Sequence, residues 1–307
     1  MSLSEIQMNL LKQISDIEKT PTGAYNIRAN GKLHGRNNSS NIEIVTKTDN
    51  PGIDVIIKPN TKNERVDLPV LITETGIKDI VLNDFYVGDN CDVVIVAGCG
   101  ICNSGNESSE HDGIHTFHVG KNAKVKYIEK HYGEGDGNGE KILNPTTVIE
   151  IDEGGYLEMD TAQIKGVDSS YRKTKATLKD NATLIVKEKI MTHGKQIADT
   201  DFYVNLEGEN SSAHVISRSI AKDNSYQRFV SLVDGNNRCS GHTECDAIIM
   251  NNGKVTAEPQ INANHIEASL IHEATIGKIA GEQLIKLMSL GLTEKEAEEK
   301  IVNGFLK

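Results

Sequence analysis

Val148-Ile149-Glu150-Ile151-Asp152-Glu153-Gly154 is a run of β-prone residues that meets a tight polar turn, and it is one of a series. The same succession recurs at the turns Gly88-Asp89-Asn90, Gly120-Lys121-Asn122, Lys179-Asp180-Asn181, Glu207-Gly208-Glu209 and Asp234-Gly235-Asn236. With Asp152 in its place, the turn starts are 32, 32, 27, 28 and 27 residues apart. Flanking runs include Val93-Val94-Ile95-Val96, Val125-Lys126-Tyr127-Ile128 and Thr183-Leu184-Ile185-Val186. A period near 30 residues, with short strands and no helix between them, points to a solenoid of strands, a β-helix. A β-sandwich has similar strands but need not keep the period. The β-helix is the preferred reading.

Composition agrees. The chain has 307 residues, 37% hydrophobic and 4% aromatic, and no Trp. That is lean for one thick core and suits thin layers filled by Val, Ile and Ala. The formal net charge is −11, from 44 acidic against 33 basic residues, which argues against a nucleic-acid partner. No segment approaches the roughly 20 apolar residues of a membrane span. The start Met1-Ser2-Leu3-Ser4-Glu5-Ile6 lacks the basic and apolar regions of a signal peptide, so a cytoplasmic protein is expected. The five cysteines suit metal-binding or reactive thiols better than a disulfide framework.

The ends differ from the middle. Ile6, Leu10, Ile14 and Ile17 stand at helical spacing behind a Ser4 cap, and Pro21 and Gly23 break the pattern. After residue 264 the texture is again read as helical, from Ile266, Leu270 and Ala274 into Ile276, Ile279, Leu284, Leu287 and Met288, with Gly291 as a stop. Thr293-Glu294-Lys295-Glu296 is a capping box for a last helix. The expected organisation is an N-terminal helical segment (1–30), a β-helix core (31–263) and a C-terminal helical module (264–307).

Two clusters carry the chemistry. In Cys99-Gly100-Ile101-Cys102, two thiolates three residues apart can chelate one zinc or iron if Gly100 turns the chain tightly between them. Cys91 lies upstream, and His111, His115 and His118 follow, on one helix face or on a loop. The plainer alternative is two half-buried thiols and histidines bonded to backbone. Cys239-Ser-Gly-His242-Thr-Glu244-Cys245-Asp246 is the second cluster, with a buried strand cysteine as its plainer reading. His272-Glu273, placed near a helix start, is read alone as capping or surface charge. Gly133-Glu-Gly-Asp-Gly-Asn-Gly139 lacks the pattern of a phosphate loop and is read as an acidic surface loop.

The segments His272-Glu-Ala-Thr-Ile-Gly-Lys-Ile279, Glu282-Gln-Leu284, Leu287-Met-Ser-Leu-Gly-Leu292 and Ile301-Val-Asn-Gly-Phe-Leu306 closely resemble the end of SufB/SufD iron–sulfur cluster assembly scaffolds. Gly241-His-Thr-Glu-Cys-Asp246 is similar to a strand of that family, and Gly23-Ala-Tyr-Asn-Ile-Arg-Ala-Asn-Gly31 to another stretch. The resemblance implies a right-handed parallel β-helix followed by a helical module. It also implies a dimer, homotypic or with a paralogue, a sulfur donor, and a SufC-type ABC ATPase bound through 264–307. The chain itself would be a non-catalytic scaffold for a transient iron–sulfur cluster. By matched position Cys245 would be an acceptor or ligand thiolate, and Glu273 a ligand with His272 beside it. Where many SufB members carry a cysteine after Tyr-x-Glu, this chain has Tyr127-Ile-Glu-Lys-His131, making His131 the nearest substitute. Cys99 and Cys102 are candidates for the missing thiolates.

Two other readings compete. One is a stable zinc- or iron-binding β-helix protein using Cys91, Cys99, Cys102, His115 and His118. The other is a carbohydrate-active β-helix using Asp199 and Asp201.

Overall fold

The computed structural model describes residues 3–18 and 21–306; Met1 and Ser2, where the stretch read for a leader begins, lie outside the described residues. From Gly52 onward each coil gives one strand to each of two sheets. The first sheet takes Lys62–Ile72, Asp92–Cys102, Lys124–Glu134, Tyr156–Lys165, Thr183–Thr192, Ser212–Ala221, Ser240–Ile249 and Ser269–Gly277, each parallel to the next. The second takes Gly52–Ile57, Lys78–Val87, Ser109–Val119, Lys141–Leu143 with Thr146–Ile151, Ser169–Leu178, Ile197–Leu206, Tyr226–Gly235 and Lys254–Ala263. The chain is thus a parallel β-solenoid of about eight coils. Two antiparallel hairpins, Ala24–Ala29 with Lys32–Asn37 and Ile42–Thr46 with Gly52–Ile57, start it.

The turns hold the coils in register. Asn90, Asn122, Asn181 and Asn210 sit at φ 56, 53, 57 and 58°, and Gly154 takes the equivalent place at φ 67°. Asn tolerates this left-handed conformation better than other side chains. Each of these residues donates its backbone N–H one coil onward, as in Asn90 to the Lys121 carbonyl at 2.8 Å and Asn122 to that of Glu153 at 3.1 Å. The glycine-rich loop has a packing cause of the same kind. A Cβ on Gly137 would lie 2.2 Å from the Gly105 carbonyl oxygen, so only glycine lets the two stacked turns approach.

Side chains alternate inward and outward along every coil strand. One part of the lumen is apolar, with Phe85 stacked on Phe117 at 4.4 Å among Val, Ile, Leu and Ala. The other part is polar, and Arg172 anchors it. Its Nη1 lies 2.5 Å from Glu129 Oε2, and its Nε lies 3.4 Å from Glu188 Oε1. All three are at most 6% exposed at the side chain.

Helix α1 (Glu5–Ser15) starts with the expected Ser4 cap and lays Leu10, Leu11 and Ile14 on the outside of the first sheet. Gly98 and Gly100 admit it: a Cβ on Gly100 would sit 3.1 Å from Leu10 Cδ2. Gly100 therefore lies inside the extended strand Asp92–Cys102, and the tight turn expected between Cys99 and Cys102 is absent. The histidines expected on a helix face or loop lie on the strand Ser109–Val119.

The C-terminus brings a further correction. Residues 269–277 form a strand, not a helix, paired from Ser240↔Ser269 to Ile248↔Gly277. A spacing of four, as in Leu270 and Ala274, suits one face of a helix and one face of a strand alike; pairing with the previous coil selects the strand. The helices start later, as α2 (Gly281–Ser289) and α3 (Glu294–Phe305), the latter with the expected Thr293 capping box. Ile279, Val302, Phe305 and Leu306 anchor this pair against Ile220 and Met250. No described helix is long and apolar enough to cross a membrane.

The buried triad yields a stability test. Arg172→Ala strands two carboxylates in the lumen and is expected to destabilise the fold by about 3–5 kcal/mol in urea unfolding. Lys121→Ala, which breaks an exposed pair with Glu153, is expected to change stability far less, because solvent screens that pair. Equal effects from the two substitutions would contradict the buried triad.

Candidate functional site

Parallel register sorts the candidate residues into columns. Ala97, Glu129, Thr161, Glu188, Ser217, Cys245 and Ala274 succeed one another on the lumenal face of the first sheet. Glu188 accepts hydrogen bonds from Ser217 Oγ at 2.9 Å and Thr200 Oγ1 at 3.3 Å. A polar thread thus runs from Glu129 through Arg172 and Glu188 to Ser217, which is the register partner of Cys245. Cys245 is 1% exposed, and burial, with Glu188 and Asp246 adding repulsion, pushes its thiol up to about 12.

Toward the N-terminal end, Cys99, His111, His115, Glu129 and His131 line a lumenal cavity of about 20 Å³. That is room for about one water molecule. Tyr127 donates to Glu129 Oε1 at 2.8 Å and accepts from His115 Nδ1 at 2.9 Å, while Asn83 Nδ2 stands 3.4 Å from His115 Nε2. These contacts fix His115 as neutral. Burial lowers His115 and His131 to about 4 each, against the pull of Glu129. Burial alone would raise Glu129, but the Arg172 guanidinium outweighs it and holds the carboxylate ionised. His111 Nδ1 lies 3.3 Å from Asp79 Oδ2, and Asp79 is held at about 2 because His111 and Arg28 outweigh its burial.

The same alternation separates other candidates. Cys99 faces the lumen, whereas Cys102 faces outward against α1. The expected chelating pair is therefore not brought together. His118 points outward, bonded to Glu150 at 2.9 Å and stacked on Tyr86, away from His115. Cys91 is buried at a turn and donates to the Lys58 carbonyl at 3.2 Å. Asp199 and Asp201 share the outer face of the second sheet, with Asp201 tied to Arg228 at 3.2 Å and Tyr171 at 2.6 Å.

At the C-terminal end, His272 and Cys245 share the lumenal face. His272 is the register partner of Thr243, whose Oγ1 lies 2.6 Å from His272 Nδ1. Glu273 points the other way, with Glu244. The expected convergence of Cys245 with Glu273 therefore does not occur within one chain, because neighbouring strand residues take opposite faces. Two residues from Glu244 stands His242, and Glu244 lies 2.6 Å from His214. Sequence reading missed His214, Glu188 and Arg172. The signal available for the last two was a charge at an inward position of an alternating run.

The family described as SUF system FeS cluster assembly, SufBD core domain, matches residues 83–305. The chain belongs to the SufBD family. An iron–sulfur cluster assembly SufBD family protein of Methanocaldococcus jannaschii is 30% identical over 76% of this chain and 74% of its own length. One from Archaeoglobus fulgidus is 30% identical over 79% of this chain and 65% of its own. The iron–sulfur cluster assembly protein SufB of Bacillus subtilis is 37% identical over 32% of this chain and 22% of its own. SufBD membership supports a role in iron–sulfur cluster assembly. The matched region holds the lumenal thread, Cys245 and the helices α2 and α3.

The lumenal histidines carry a pH test. His115 and His131 bind a proton near 6.5 when unfolded but only near 4 when folded. Their contribution is intact above pH 6.5 and is lost as pH falls toward 4, at on the order of 1.4 kcal/mol per unit of displacement for each. The urea midpoint of the wild type is expected to drop across that window more steeply than that of His115→Gln. Parallel curves would contradict the buried neutral imidazole.

Proposed function

We propose that this chain is a scaffold subunit on which an iron–sulfur cluster is assembled transiently, held from this chain by Cys245 and His272. The observation that carries the proposal is their shared position on the lumenal face at the open end of the solenoid. Thiolate and imidazole are donors suited to iron and sulfide. The last coil is only partly covered: Pro259, Ile261, Ala274 and Ile276 are exposed, and Lys254–Ala263 and Ser269–Gly277 are edge strands. Such an edge accepts strands from a second subunit, a copy of this chain or a paralogue. The second subunit completes the ligand set that one chain lacks. In the resting chain the Cys245 thiol stays protonated, so ligation requires its burial to be relieved.

A SufC-type ABC ATPase is the proposed agent of that change. Helix α2 exposes Ile285 and Met288, with Leu290 just beyond it at 75% exposure, an apolar face suited to a partner. The helix pair is anchored on Ile220 and Met250, at the ends of the strand beside Cys245 and of the strand that carries it. A pull on the helices therefore reaches the coil that holds the thiol. A sulfur donor supplies the sulfide. The setting is cytoplasmic, where thiols stay reduced.

Anaerobic reconstitution with iron and sulfide, in the presence of the ATPase subunit and ATP, is expected to give visible charge-transfer absorption. Cys245→Ser should abolish most of it and Cys99→Ser should leave it. A colourless wild type, or full absorption from Cys245→Ser, would contradict the proposal.

A further inference from the structure

The outer face of the first sheet carries a second constellation, which Cys245 does not share. His214 and His242 are register partners on adjacent parallel strands, and their rings stack 4.9 Å apart. Glu244 lies two residues along from His242, with Oε1 2.6 Å from His214 Nε2 and 3.6 Å from His242 Nδ1. Donor atoms of the three residues all lie within 4.8 Å of one another. Glu273, one strand onward, puts Oε2 3.6 Å from His242 Nε2. That Nε2 is buried and has no hydrogen-bond partner.

Charge accounting singles the place out. On the same face Glu158 is neutralised by Lys187 at 3.1 Å. Glu244 and Glu273 have only histidines within salt-bridge distance among the described residues. Two imidazoles and two carboxylates make an N₂O₂ set whose net charge a divalent ion cancels. His214 and His242 line a surface groove of about 290 Å³ bordered by Ser240, Gly241 and Ile271, so an ion reaches the two imidazoles from solvent.

We propose that His214, His242 and Glu244, with Glu273 as a fourth donor, form a binding site for one divalent first-row transition-metal ion. Imidazole with carboxylate suits ions such as iron(II), cobalt(II) and zinc(II), and excludes the hard oxygen-only coordination of calcium. Ligands on one such ion stand about 3 Å apart, given bonds of about 2.1 Å. Binding therefore turns the partly exposed rings inward and displaces the proton between His214 and Glu244. The rigid parallel register sets the spacing of the two histidines before the ion arrives. This site is independent of the cluster reading, since strand alternation puts it across the sheet from Cys245.

Cobalt(II) is the probe. Anaerobic titration of the full chain is expected to show one equivalent bound, with visible d–d bands and no thiolate-to-cobalt charge transfer. His214→Ala and Glu244→Gln should each weaken binding at least tenfold, and Cys245→Ser should leave it unchanged. Thermal melts of the variants without metal establish that they fold, and the wild-type melting temperature should rise with cobalt(II). Absence of stoichiometric binding by the wild type would overturn the site. So would a charge-transfer band lost in Cys245→Ser, or unchanged affinity in folded His214→Ala. Loss of cluster reconstitution in Cys245→Ser with cobalt binding intact would separate this site from the scaffold reading.

Discussion

The structure depends on one constraint, the in-register parallel stacking of each coil on the last. Hydrogen bonds between strands fix which residue lies over which, and the pleat then fixes which face each side chain takes. A slip of one residue would exchange lumen and solvent for a whole strand. The left-handed Asn residues and Gly154, each bonded to the next coil's backbone, stand at the corners where such a slip would start.

From this constraint the site chemistry divides into two compartments. Inside, apolar stacking leaves a polar part that tolerates charge only because Arg172 lies between Glu129 and Glu188. A buried ion cluster of this kind is weak evidence for added stability, since desolvation offsets much of its attraction. Its evident effect is to keep a line of hydrogen-bonding groups inside the solenoid, ending beside Cys245. Outside, His214, His242, Glu244 and Glu273 are partly exposed and have no lysine or arginine partner among the described residues. The Cys245 thiol and the His214, His242, Glu244 and Glu273 cluster are thus kept on opposite faces of one sheet.

Much of this was legible in the sequence. The turn period identified the solenoid, because stacked coils need a polar turn at nearly constant spacing. The Ser4 and Thr293 caps located two helices, because capping is local chemistry. The candidate ligands read less well, for a physical reason. Cys99 and Cys102 look like a chelate only if the chain turns between them, and in an extended strand an odd spacing of three sends them to opposite faces. Glu273 was separated from Cys245 by the same alternation. The spacing of Leu270 and Ala274 fits helix and strand equally, so only the neighbouring coil could decide. His214 and His242 are 28 positions apart, and nothing local marks them as neighbours.

The division between lumen and surface is tested most directly by alkylating the native chain anaerobically and resolving the modified cysteines by mass spectrometry. Cys102, the one cysteine with intermediate exposure, should react first, and Cys245 should stay protected at the level of Cys99 until the chain is unfolded. Rapid native labelling of Cys245 alongside Cys102 would place that thiol outside the lumen and contradict the account.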